Sequence, residues 1–137
     1  MNLRWMKYTR RYEGLSLYPY RCSAGCLTIG YGHNLENGIS QQTAQYILQE
    51  DMEQAQKDVR TKWKWWEKLD EVRQFVLVDM CFNMGLKKLS TFRKFLTALQ
   101  QQNYAVAAQE MLQSRWAGQV GYRAVELAEM MKTGEYI

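Results

Sequence analysis

A glutamate, a cysteine and a threonine fall close together near the start of the chain: Glu13, Cys22 and Thr28, in the segment EGLSLYPYRCSAGCLTIGYGH. Local signals put Glu13 at the end of a helix, where Gly14 is a stop, and put Cys22 and Thr28 on the two arms of a hairpin broken at Gly25. A carboxylic acid, a thiol and a hydroxyl converging in this way make a small polar active site. Hydrolysis of a glycosidic bond asks for such a set: a proton donor for the leaving oxygen, and a base or nucleophile on the opposite face of the sugar. Glu13 suits the donor if an apolar, partly buried setting helps it keep its proton. Cys22 is the odd member, because a free thiol is mostly neutral at pH 7, where a second acid would be ionised.

Each of the three also has a plain structural reading. A glutamate after a helix is usually a solvated charge, a cysteine often packs as a small apolar residue, and a threonine suits a strand. His33, the only histidine, cannot build a metal site alone, and a Cys22–His33 nucleophilic pair would need a third, orienting group that the sequence does not identify. The joint spacing decides between these readings, and the elements around it must first be placed.

Residues 3 to 12 set Leu3, Met6 and Arg10 on one face of a first helix. From Leu15 to about Glu36 the helical period gives way to β-formers punctuated by glycines, which predicts a hairpin or a three-stranded sheet, with Pro19 confined to an edge strand or irregular chain. Ser40 caps a long helix that runs through Ala44, Ile47, Met52 and Val59 to about Arg60. Everything after Trp63 reads as helical. FVLVDMCF at 75 to 82 is apolar nearly all round, as a helix at the centre of a bundle would be; Ser90 and Asn103 cap two further helices, and Val120 to Lys132 forms a last one closed by Gly134. Trp63, Trp65 and Trp66 read as packing rather than as a sugar-stacking or membrane-facing patch. The fold class is therefore α+β, a small β-containing lobe beside a larger helical one, with a cleft between them as the ligand site.

Composition bounds the function. The 137 residues suffice for one domain with a real core, and no apolar run reaches the roughly 18 residues that span a bilayer. The chain starts with charges and tyrosines where a secretory signal would carry an apolar stretch, so synthesis in the cytoplasm is expected. Three cysteines argue against a disulfide framework and a four-ligand zinc site, although Cys22 and Cys26 could meet across the hairpin. The net charge of +4 is scattered along the sequence and requires no nucleic acid.

The pattern Glu-x8-Cys-x5-Thr, followed at once by Ile29, Gly30, Tyr31, Gly32 and His33, resembles the catalytic signature of the phage-type lysozymes, glycoside hydrolase family 24, in its cysteine variant. LDEVR at 69 to 73, FNMG at 82 to 85, LQQ at 99 to 101 and SRW at 114 to 116, with Gln119 and Arg123, extend the resemblance over essentially the whole chain. It implies a lysozyme-like fold in one domain, 1–137, with a β-containing lobe about 14–58 and a helical lobe about 1–13 and 59–137. It implies Glu13 as general acid, residue 22 assisting a water on the other face of the sugar, and Thr28 positioning that water, with inversion at the anomeric carbon. Leu35, Phe82, Asn83, Trp116 and Arg123 match substrate-binding positions, Arg123 also approaching the acid, and Asp51 of the connecting helix is placed near His33 as a structural pair. Trp116 fits the core equally well. The implied substrate is bacterial peptidoglycan, without metal or cofactor, attacked by a monomer that does not insert stably into membranes and reaches the wall through a holin-type pore.

Overall fold

Helix α1 begins where Asn2 satisfies two of the amides that the first turn leaves unpaired: its side chain accepts from the backbone N–H of Arg4 (2.9 Å) and of Trp5 (3.4 Å). In the computed structural model, which describes residues 1–137, the helix spans Leu3–Glu13 and ends at Gly14, whose φ of 70° turns the chain out of the helical path. The chain forms two compact units, Met1–Tyr46 and Ile47–Ile137.

The first unit holds α1 and a three-stranded antiparallel sheet in the order β1 (Ser16–Arg21), β2 (Leu27–Gly30), β3 (His33–Asn34). The sequence pattern thus resolves into the three-stranded alternative. Tyr20 pairs with Thr28 and Arg21 with Leu27, while the ladder is irregular between Ser16 and Tyr20. Pro19 falls within that irregular stretch of an edge strand, where its missing N–H does no damage. Beyond the ladder, Cys22 N–H donates to the Cys26 carbonyl at 3.0 Å and Gly25 N–H to the Cys22 carbonyl at 2.8 Å, which closes the β1–β2 turn. Thr28 is the one buried residue of this unit.

Helix α2, Gln41–Lys62, starts in the first unit and continues into the second. Its cap is the expected Ser40, whose hydroxyl accepts from Thr43 N–H at 3.1 Å. The hydrophobic core lies in the second unit. There α3 (Glu71–Met84), capped by Asp70, buries Val72, Val76, Leu77, Val78, Met80 and Cys81, the all-round burial that its apolar run predicts. Each such side chain withdrawn from water contributes roughly 1.5 to 3 kcal/mol. Trp66 is buried and Trp63 and Trp65 pack partly against the same core. Trp66 Nε1 donates to the Gln74 carbonyl (3.2 Å) and Gln74 Nε2 to the Trp66 carbonyl (3.1 Å), which ties the tryptophan turn to α3.

The remaining helices are α4 (Leu86–Leu89), α5 (Arg93–Gln100), α6 (Tyr104–Leu112), α7 (Arg115–Val120) and α8 (Tyr122–Thr133). Asn103 caps α6 and Gly134 closes α8 as expected. Two boundaries differ from the sequence reading. Ser90 caps no helix start; it ends α4, its hydroxyl bonding back to the Leu86 carbonyl at 2.7 Å, and α5 begins only at Arg93. The last helix does not run from Val120, because Gly121 at φ 60° breaks the segment and separates α7 from α8. Arg73 then holds the end of α8: Nε donates to the Met131 carbonyl (2.7 Å), a second nitrogen to that of Lys132 (3.0 Å), and the guanidinium lies 3.5 Å over the Tyr104 ring. The whole is an α+β, lysozyme-like fold.

Candidate active site

Glu13 is the last residue of α1, and its side chain lies across Gly32 in the turn between β2 and β3. A Cβ on Gly32 would come within 2.8 Å of the Glu13 Cδ and collide with Oε2. Gly32 also carries a φ of 82°, so glycine is required here twice, for the left-handed backbone and for the close approach of the carboxylate. One turn earlier, Arg10 sits 6.0 Å from the centre of the Tyr31 ring, a second contact between the end of α1 and this turn. Glu13 itself is exposed, and the apolar half-buried setting anticipated for a proton donor does not surround it.

Cys22, Cys26 and Thr28 share one face of the β1–β2 hairpin, because side chains two apart on a strand point the same way and Cys22 lies opposite Cys26. The backbone amides of Cys26 and Ala24 favour a negative charge on the Cys22 sulfur and lower its pKa from the ordinary 9.0, against the opposing cost of burial. The negative charge so favoured on Cys22 raises the pKa of Cys26. Both thiols are free and half-buried. Thr28, only 3% exposed, donates its hydroxyl proton to the Cys26 carbonyl at 2.8 Å. Its lone pairs therefore remain to accept, which is the capacity needed to orient a water.

Of the other residues singled out in the first unit, His33 is exposed and its Nε2 meets the Gly38 carbonyl at 2.8 Å, pinning the loop after β3. Leu35 opens the short 3-10 turn Leu35–Asn37 and is half-buried. In the second unit, Asp51 and Phe82 line the same groove, of about 310 Å³, together with Gln54, Asp58 and Cys81. Asn83 is exposed at the end of α3, and its Oδ1 accepts from Trp116 Nε1 at 2.7 Å. Trp116 is 1% exposed, so of its two readings the core one describes its ring. A second groove of about 530 Å³ runs past the edge of Trp116 between Phe92, Arg93 and Arg115. Arg123 makes a bidentate pair with Asp79, both hydrogen bonds 2.9 Å long, so its charge is engaged within this unit. No three His, Cys, Asp or Glu side chains gather into a group that could hold a metal ion.

Two residues with parts at these positions escaped the sequence reading. Gly32 was legible only as a turn glycine, although a second glycine two residues after Gly30 signals a close approach as well as a bend. Asp79 was the stronger clue: a lone acid inside an apolar, buried run needs a cationic partner, and Arg123 supplies it.

Comparison with known proteins places the sequence in a family. The family model described as Phage lysozyme matches residues 10–129. An endolysin of Acyrthosiphon pisum secondary endosymbiont phage 1 is 32% identical over 112 residues, covering 79% of this chain and 73% of that protein. Probable T4-type lysozyme 1 of Dictyostelium discoideum is 25% identical over 152 residues, 89% of each chain. The pre-baseplate central spike protein Gp5 of Enterobacteria phage T4 is 25% identical over 162 residues, 97% of this chain but 28% of that larger protein. A matched family model over most of the chain, on an α+β fold with the acid of the motif seated at its glycine turn, makes this chain a member of the phage lysozyme family, a peptidoglycan-degrading lysozyme.

Proposed function

We propose that the chain is an endolysin with N-acetylmuramidase activity, hydrolysing the β-1,4 bond between N-acetylmuramic acid and N-acetylglucosamine with inversion and so lysing its bacterial host. Glu13 is the general acid, giving its proton to the leaving glycosidic oxygen. A water on the other face of the sugar attacks the anomeric carbon. Thr28 orients it as a hydrogen-bond acceptor and Cys22, whose thiolate the turn amides favour, draws off its proton. Inversion leaves roughly 6.5 to 9.5 Å between acid and base for that water. Bound sugar supplies the desolvation that the exposed Glu13 lacks in the free chain.

Leu35, Phe82 and Asn83 touch the saccharide. Trp116 acts from the core by holding Asn83 Oδ1, which leaves the amide nitrogen of Asn83 to donate. Arg123 positions α8 through Asp79, and His33 and Asp51 serve structure. The chain works as a monomer in one catalytic domain and reaches the wall through a holin-type pore; no helix is long and apolar enough to cross a membrane. No nucleic acid or cofactor takes part.

The seating of Glu13 on Gly32 is the observation that carries this reading, since the one carboxyl group of the motif lies at the motif's own turn. Turbidity loss of purified sacculi tests it, with co-sedimentation as a parallel measure of binding. Glu13→Gln should abolish lysis and keep binding. Lysis by that variant would end the general-acid assignment, and binding without lysis by the unaltered chain would make it a wall-binding module instead.

A further inference from the structure

Two of the three thiols of this chain face each other across the β1–β2 hairpin, within the first compact unit. The ladder pairs Tyr20 with Thr28 and Arg21 with Leu27, so its next step sets Cys22 opposite Cys26, and the 3.0 Å bond from Cys22 N–H to the Cys26 carbonyl keeps that register. Directly opposed residues place their side chains on the same face of a hairpin. Gly25, at φ 84°, lets residues 23–25 reverse the chain tightly enough to hold the pair together. The third thiol does not compete: Cys81 is 4% exposed in α3, and burial raises its pKa.

Opposed residues at a hydrogen-bonded position have Cα atoms about 5.5 Å apart, inside the range of roughly 4.4 to 6.8 Å that a disulfide bridges. Their Cβ atoms stand about 4.5 to 5.5 Å apart, whereas a disulfide draws them to about 3.8 Å. The bond can therefore form, and forming it pulls the hairpin tight. Strain of that kind makes a disulfide easy to reduce. We infer that Cys22 and Cys26 form a reversible disulfide that switches this lysozyme off until a thiol reductant opens it. The switch rests on the role proposed above for Cys22, because a bridged sulfur has no thiolate with which to take a proton from water. The oxidant is a small disulfide of the glutathione class. The Cys22 thiolate, which the turn amides favour, attacks one of its sulfurs, breaking that S–S bond and releasing one small thiolate. Cys26 then gives its proton to solvent, attacks the Cys22 sulfur and expels the second. Two protein thiols are oxidised and one small disulfide is reduced to two thiols.

Incubation of the full chain in glutathione buffers of rising disulfide content, followed by acid quench and peptide mass spectrometry, tests this. The unaltered chain should lose two hydrogens in a single Cys22–Cys26 bridge with Cys81 still reduced. Its lysis of purified sacculi should fall in step with the bridged fraction, by at least about 100-fold when bridging is complete. Dithiothreitol should restore it. In Cys26→Ser the exchange should stop at glutathione held on Cys22, an adduct that the unaltered chain expels. Lysis by Cys22→Asp, whatever its rate, should be the same in reducing and oxidising buffers. A glutathione adduct that persists on Cys22 of the unaltered chain, a bridge to Cys81, or unchanged lysis by the bridged chain would overturn the switch. Mass reads the bridge independently of lysis, so failure of the pairing is distinct from failure of the lysozyme reading, which would appear as a reduced chain that binds sacculi without lysing them.

Discussion

Replacing Gly32 by alanine separates backbone strain from displacement of the acid. An L-residue in the left-handed region costs roughly 1 to 2 kcal/mol, and Gly32 has φ 82°. For a chain of 137 residues that corresponds to a fall in Tm of about 3 to 8 °C. The new methyl would stand 2.8 Å from Glu13 Cδ, whereas carbon atoms pack at roughly 3.5 to 4.0 Å, so the carboxyl must retreat by about 1 Å. A shift of that size in a reacting group costs on the order of 100-fold in rate. Gly85→Ala is the control, because Gly85 has a similar φ of 87° and nothing within 4 Å of its added Cβ. Thermal unfolding and kcat on purified sacculi should therefore part company: both variants lose stability alike, and only Gly32→Ala loses activity. Equal activity in the two, or full activity in Gly32→Ala, would refute the claim that Gly32 is the floor on which the acid rests.

Alkylation by iodoacetamide, followed residue by residue in mass spectra, should label Cys22 with an apparent pKa below the ordinary 9.0 and Cys26 above it, because the turn amides favour the first thiolate and its charge disfavours the second. By linkage, the lowered value on Cys22 favours the fold at pH above 9.0, and this contribution disappears as pH falls through its folded pKa; the raised value on Cys26 favours the fold below 9.0 and is lost as pH rises through its folded pKa. Cys22→Asp should keep lytic activity, and oxidation of the unaltered protein by a small disulfide should halt lysis until a reductant restores it; unchanged lysis after quantitative Cys22–Cys26 disulfide formation would remove Cys22 from the mechanism. Arg123→Met strands Asp79, whose side chain is 15% exposed, and should cost about 2 kcal/mol, less than the 3 to 5 of a fully buried pair because Arg123 is 37% exposed. Chemical denaturation that finds no loss would show the pair to be incidental.

Much of the fold is legible in the sequence, because local rules carry it. Asn103 and Ser40 read as caps and are caps, and the all-apolar run of α3 read as a central helix and is one. The misreadings share a cause. Ser90 looks like a helix cap in sequence, but its hydroxyl has a nearer partner in the preceding turn, the Leu86 carbonyl. Gly121 lies within a pattern that stays helical on both sides, and only the backbone reveals that it takes φ 60° there. At the site, residue types and spacing named Glu13, Cys22 and Thr28, yet periodicity cannot report that Glu13 lies over a glycine or that two amides favour a charge on a sulfur. Nor could Trp116 be resolved from spacing, since a tryptophan on a helix is compatible with a groove wall or a core until its exposure is known.

In the proposed reaction Glu13 protonates the leaving oxygen of a muramidase cleavage that inverts configuration. Proton NMR of the first products released from β-linked glycan strands tests it most directly. New reducing ends of N-acetylmuramic acid should appear first as the α anomer and be lost in Glu13→Gln. First-formed β anomer, reducing ends of N-acetylglucosamine, or undiminished product from the Glu13→Gln variant would contradict it.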